Sequence, residues 1–221
     1  MNPLPSRRIF LTGALVGIAL TTAVHSASSA QTRQESPLMC PVMGKEILSP
    51  EQAWKTRDVK GVRYYLCCQP CEEKFDKEPT AFTAAPSNPA KAGGVFLFDP
   101  VTTKRLDVSK SVAYSVYEGV LYPFATVANK KAFDKSPKKY ATRPEKELLY
   151  CPVSDKAVKD YASASDYSDY EGERIYMCCP GCKEPFDKEP TKYKARMDAF
   201  RAKSGVAKDA NQSAPSAAGT P

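Results

Sequence analysis

Tyr64-Tyr65-Leu66-Cys67-Cys68-Gln69-Pro70-Cys71, followed by Phe75-Asp76-Lys77-Glu78-Pro79-Thr80, decides the fold because the chain carries it twice. With Cys40 ahead of it, its cysteines recur 111 positions later as Cys151, Cys178, Cys179 and Cys182, without a gap. The same offset lays Pro41-Val42 on Pro152-Val153, Gly61 on Gly172, Tyr65 on Tyr176, and Phe75 to Thr80 on Phe186 to Thr191. Self-similarity of this kind marks copies of one supersecondary unit.

A third, degraded copy lies between them. Gly119, Val120, Tyr122, Phe133-Asp134-Lys135 and Pro137 fall 58 positions after Gly61, Val62, Tyr64, Phe75-Asp76-Lys77 and Pro79, while Pro100-Val101 needs an offset of 59. Its cysteine positions hold Asp99, Ala125, Thr126 and Asn129, so a soft metal finds no thiolate there. The division is then a first cysteine unit over 37–84, a cysteine-less unit over 95–140 and a second cysteine unit over 148–203. Residues 84–94, rich in Pro, Ala and Gly, and the short polar 141–146 read as linkers. The tail, 204–221, is poor in large apolar residues and reads as disordered.

Val62 to Leu66 and Arg174 to Met177 are expected as strands entered from turns at Lys60-Gly61 and Glu171-Gly172. A short helix beginning near Cys71 or Cys182 stops before Pro79 or Pro190. Tyr193, Met197 and Phe200 recur at helical spacing, with Met197 filling core. The expected class is therefore α+β, as three tandem units each made of a β-hairpin and a short helix. A unit this small is marginal on its core alone, so Trp54, Phe75, Phe133 and Phe186 are assigned to small cores supplemented by metal or disulfides.

Thiolates are soft donors for zinc and Cu(I). Adjacent Cys67 and Cys68 cannot easily both face one ion, which leaves Cys40, Cys67 and Cys71 as a three-thiolate set. Cys68 is then a fourth ligand or a sulfur held near the site. Cys151, Cys178, Cys179 and Cys182 repeat the arrangement, so two ions per chain are expected, with disulfides as the competing reading. Met39 and Met43 beside Cys40 suit Cu(I), although Ser154 replaces Met43 in the second cysteine unit. Cys40-Pro41-Val42-Met43-Gly44, with Tyr64 to Cys71 and Phe75 to Pro79, resembles the YHS and TRASH families of metal-binding domains. That resemblance implies treble-clef-like zinc-finger units and roles in heavy-metal sensing, trafficking or resistance. It carries the ligand role to Cys40, Cys67, Cys71, Cys151, Cys178 and Cys182, and leaves Cys68 and Cys179 at a variable position.

Arg7-Arg8 before Phe10-Leu11, an apolar stretch to Val24, and Ser28-Ser29-Ala30 read as a twin-arginine-type signal over 1–30. The body is then extracytoplasmic, in a periplasm or its equivalent, with no membrane span after cleavage. Loss of Arg7 and Arg8 lowers the net charge from +7 to +5. The remaining lysines interleave with acids, which argues against a nucleic-acid groove. The lone histidine, His25, lies in the signal, which excludes hydrolase arrangements that depend on a histidine partner. No enzyme is expected. A zinc-stabilised module for an extracytoplasmic protein partner is the alternative function, and thiol redox chemistry at Cys68 or Cys179 the enzymatic one.

Overall fold

Three hairpins built on the same turn organise the chain. The computed structural model describes residues 37–84 and 88–204, so the signal expected over 1–30 and the tail after Ser204 lie outside the described residues. The first copy holds β1 (Lys55–Val59), β2 (Val62–Leu66) and α1 (Gln69–Lys77). The middle copy runs β3 (Gly94–Phe96), β4 (Ala113–Tyr117), β5 (Val120–Phe124), α2 (Val127–Lys135) and α3 (Pro137–Ala141). The last runs β6 (Lys146–Leu148), β7 (Tyr150–Cys151), β8 (Lys156–Ala157), β9 (Asp166–Tyr170), β10 (Glu173–Met177), α4 (Lys183–Lys188) and α5 (Lys194–Ser204). The class is α+β, with small sheets and short helices.

Each hairpin turns through two residues of positive φ: Lys60 (48°) and Gly61 (71°), Glu118 (47°) and Gly119 (73°), Glu171 (50°) and Gly172 (76°). Two left-handed residues make the turn whose twist matches that of the flanking strands, and glycine takes the second position without a Cβ penalty. The Asp of each Phe-Asp-Lys then latches helix to hairpin from one equivalent strand position. Asp76 accepts from Arg57 Nε at 2.7 Å, Asp134 from Ser115 Oγ at 2.6 Å and Asp187 from Ser168 Oγ at 2.6 Å. Phe75, Phe133 and Phe186, one residue earlier, are buried beneath the hairpins.

The copies do not keep separate cores. One five-stranded sheet, ordered β1-β2-β3-β5-β4, contains the hairpins of the first and middle copies, because β3 pairs antiparallel with β2 and parallel with β5. The last copy forms its own sheet, β6-β10-β9, and β7 pairs with β8. Its aromatic face nevertheless joins the common core: Tyr167 meets Phe96 and Phe98 edge-on at 5.9 and 5.3 Å, and Tyr176 lies 5.8 Å from Phe98. Arg174, 1% exposed, stacks its guanidinium 3.9 Å over Tyr167 and donates to Asp169 at 2.7 and 2.8 Å and to the Thr142 carbonyl at 3.0 Å.

Two sequence expectations are corrected here. The 84–94 segment is not linker throughout, since Ala92 to Gly94 are buried and Gly94 enters β3. A Cβ on Gly94 would stand 2.7 Å from Val62 Cγ1 and 2.9 Å from the Arg63 carbonyl oxygen, so glycine is what lets β3 close against β2. Trp54 is 52% exposed, with its Nε1 donating to Glu72 at 2.8 Å. Its backbone N–H closes the hairpin on the Leu66 carbonyl, as Val112 does on Phe124 and Ser165 on Met177, and in the first two copies the side chain at this position is exposed. Met197 is buried, and Phe200 stacks on Tyr150 at 4.3 Å.

Candidate metal centre

Cys40 sits at the head of a tight loop. Its N–H donates to the Lys45 carbonyl at 2.8 Å, and its own carbonyl accepts from Gly44 N–H, with Gly44 at φ 67°. Cys67 follows the last residue of β2, Cys68 is the N-cap of α1, and Cys71 lies in the first helical turn, its N–H donating to the Cys68 carbonyl at 3.2 Å. Pro70 at the start of α1 suits a helix N-terminus, where no donor is needed. The loop and the hairpin–helix junction therefore aim three sulfurs inward. Cys40, Cys67 and Cys71 have their Sγ atoms all within 4.8 Å of one another, and Cys40 and Cys71 are buried. Cys67 and Cys71 are 3.7 Å apart. A tetrahedral zinc ion with bonds of about 2.3 Å holds its sulfurs about 3.8 Å apart, the spacing of the Cys67–Cys71 pair, so the set could hold such an ion.

The electrostatics of the set favour one anion and resist a second. Burial pushes the Cys40 thiol up, but the N–H groups of Met43, Cys67 and Val42 outweigh it and hold the group below the ordinary thiol value. Burial and the neighbouring Cys40 push Cys67 up to about 11, and burial with the surrounding thiols drives Cys71 higher still. A cation at the centre removes that repulsion, which is how thiolate sites couple metal uptake to proton release.

Cys68 lies outside the triad. It is 3.3 Å from Cys71, 3.9 Å from Cys67 and 4.0 Å from the exposed Met43 sulfur. The Cys71 N–H, at the start of α1, holds the Cys68 thiol below its ordinary value.

In the last copy Cys151, Cys178 and Cys182 form the matching triad, also within 4.8 Å and also with its first and third members buried. The Ser154 hydroxyl, in the place of Met43, lies 3.0 Å from Cys178 Sγ, and the buried Met177 sulfur lies 4.0 Å from Cys151 Sγ. Met177 is a neighbour that sequence reading passed over; its signal was the Leu66-to-Met177 exchange between copies. Burial raises Cys151, but the Ser154 hydroxyl and the N–H groups of Cys178 and Ser154 bring it below the ordinary thiol value.

Cys179 stands outside this triad and is joined to Cys182 in a disulfide, with the Cα atoms 5.6 Å apart, so at this pair the competing disulfide reading is the one seen. The three-residue spacing at a turn brings the two sulfurs into bonding range. Cys40, Cys67, Cys68, Cys71, Cys151 and Cys178 are free thiols. Cys182 therefore belongs to two arrangements that exclude each other, since a sulfur in a disulfide is not a thiolate donor.

The middle copy fills the equivalent space with hydrogen bonds. Asp99, 1% exposed, accepts at one oxygen from Val101 N–H (2.9 Å) and Thr102 N–H (3.3 Å). Its other oxygen accepts from Ala125 N–H (2.8 Å) and the Asn129 amide (2.7 Å). Thr126, the counterpart of Cys68, caps α2 through its hydroxyl to Asn129 N–H at 3.1 Å. Among the described residues no helix is long and apolar enough to cross a membrane.

Comparison with family models, with curated proteins and with solved structures gives no match.

Proposed function

We propose that this chain is an exported, non-catalytic metal-handling protein that binds two soft ions, zinc or Cu(I), and buffers them or passes them on. The observation that carries the reading is the double convergence: Cys40, Cys67 and Cys71, and again Cys151, Cys178 and Cys182, draw three sulfurs within 4.8 Å. Oxygen donors alone compete poorly for such ions, so the middle copy takes none. The likeness of the cysteine motifs to the YHS and TRASH families supports a heavy-metal role, and Arg7-Arg8 ahead of the apolar stretch supports export.

Cargo is favoured over scaffold by the shared core. A chain whose three copies pool their aromatics in one interior has less need of a metal to fold than an isolated unit under 50 residues has. Cys67 and Cys178 are only half-buried, which leaves each triad one approachable sulfur. Protein stripped with chelator in the presence of reductant is expected to keep a cooperative thermal transition and then to take up two ions again. Loss of that transition on stripping would instead make the metal a scaffold, as in a zinc-stabilised interaction module.

A further inference from the structure

We propose that the second metal site is redox-gated, with Cys179 competing against the ion for Cys182, so that a low-molecular-weight disulfide expels the ion from the last copy. The inference rests on the metal-handling reading and adds a control to one of its two sites.

Cys182 is both a member of the convergent triad and one half of the Cys179–Cys182 bond. With the bond closed the Cα atoms stand 5.6 Å apart, an ordinary disulfide separation, and the same backbone keeps the sulfurs of Cys151, Cys178 and Cys182 within 4.8 Å of one another, so one backbone accommodates both partners of Cys182. Once it is closed, Cys151 and Cys178 are the thiols left at the site, too few for a zinc ion, which takes four donors.

The first copy holds the same pair apart. Cys68 and Cys71 stand 3.3 Å apart without a bond, and α1 starts at Gln69, so Cys71 is already inside the helix. In the last copy Pro180-Gly181 replaces Gln69-Pro70, and α4 starts only at Lys183, after both sulfurs. Glycine is a poor helix former, and a Cβ on Gly181 would meet nothing within 4 Å. The dithiol of the last copy therefore sits in a hydrogen-bonded turn ahead of its helix, Cys182 N–H donating to the Cys179 carbonyl at 3.1 Å, with Cys179 the more accessible of the two sulfurs.

The step balances. The Cys179 sulfur, giving its proton to solvent, attacks the oxidant R–S–S–R; the S–S bond breaks, a mixed disulfide forms, and R–S⁻ leaves to take up a proton as R–SH. The metal-bound thiolate of Cys182 then attacks Cys179 Sγ and expels the second R–S⁻, which takes its proton from solvent. Two electrons pass from the cysteine pair to the oxidant. The ion leaves in its original oxidation state.

The test uses the full-length protein, reduced, loaded with zinc and then exposed to oxidised glutathione, with free zinc read by a chromogenic chelator. Wild type should release one equivalent more than Cys179→Ser, because the first site is common to both proteins and Cys179→Ser keeps the triad. Equal release from the two overturns the gate. Peptide mapping of wild type supplies a check that does not depend on the variant folding: release without a Cys179–Cys182 crosslink also overturns it. If reduced wild type takes up no zinc at all, the metal-handling reading itself has failed. Two bound ions with no differential release remove the gate alone.

Discussion

The middle copy and its neighbours solve one structural problem with different chemistry. Each must tie an N-terminal loop to the junction between a hairpin and its helix. The flanking copies converge three sulfurs there, whereas the middle copy places one buried carboxylate, Asp99, that accepts from the junction through Ala125 and Asn129. The difference extends into the hairpin. At the same register position the first copy pairs Asp58 with Arg63 and the last pairs Asp169 with Arg174, while the middle copy pairs Val116 with Leu121. The middle copy therefore builds the same hairpin and helix without thiols, an observation that supports the proposed metal role of the sulfurs in the flanking copies.

The sharpest way to break this comparison is to convert one copy into the other. Asp99→Cys, Ala125→Cys and Asn129→Cys together rebuild the triad, and the metal content of the reduced protein should rise from two ions to three. A stoichiometry that stays at two in a folded triple variant would show that the equivalence of the positions is only apparent.

Removing the carboxylate is the next largest change. Asp99→Ala strands the Ala125 and Val101 N–H groups and the Asn129 amide, so urea denaturation should show a loss of about 3 kcal/mol. The two metal equivalents should remain, because no sulfur is touched. Cys40→Ala should do the opposite, removing one equivalent at a smaller cost to the metal-free protein.

Exchanging the cross-strand pairs is a subtler comparison. Arg63→Ala leaves the buried Asp58 carboxylate without its partner and should cost about 2 kcal/mol in the same assay. Installing the middle copy's pair, Asp58→Val with Arg63→Leu, should cost less than about 1 kcal/mol, since replacing both partners with apolar groups is often neutral.

The smallest contrast separates the turns. Gly172→Ala should cost about 1 kcal/mol for the left-handed backbone alone, because a Cβ there meets nothing within 4 Å. Gly61→Ala should cost more, because its Cβ would approach the Tyr176 hydroxyl at 3.0 Å and Phe96 Cε2 at 3.2 Å. Equal melting temperatures for the two variants would contradict the packing of the first turn against the last copy.

Much of this was legible in the sequence because the repeat is ungapped. The offset of 111 aligned turns, strands, helix and thiols together, and the middle copy's lack of cysteine was explicit. What escaped were contacts that no single copy specifies. Gly93-Gly94 has the composition of a linker, and only the closeness of Val62 reveals why glycine is required there. Trp54 invites a core assignment by its size, yet it sits where the hairpin closes, and there its counterpart Val112 is likewise exposed, at 61%. Asp99 was identified as the occupant of a cysteine position, but its hydrogen-bonding role depends on Ala125 and Asn129 lying within reach of both oxygens. The Cys179–Cys182 bond escaped too, because the repeat gives both copies the same cysteine spacing and does not show that α4 starts at Lys183 where α1 starts at Gln69.

The central claim is tested most directly by metal analysis with X-ray absorption on the reduced full-length protein after loading with zinc. Two ions per chain are expected, each in a sulfur-rich shell with zinc–sulfur distances of about 2.3 Å. Cys71→Ser should carry one ion, and Asn129→Ser should still carry two. Zinc held only by oxygen or nitrogen, or no retained zinc in protein whose thiols are all free, would contradict the assignment of the two cysteine triads as metal sites.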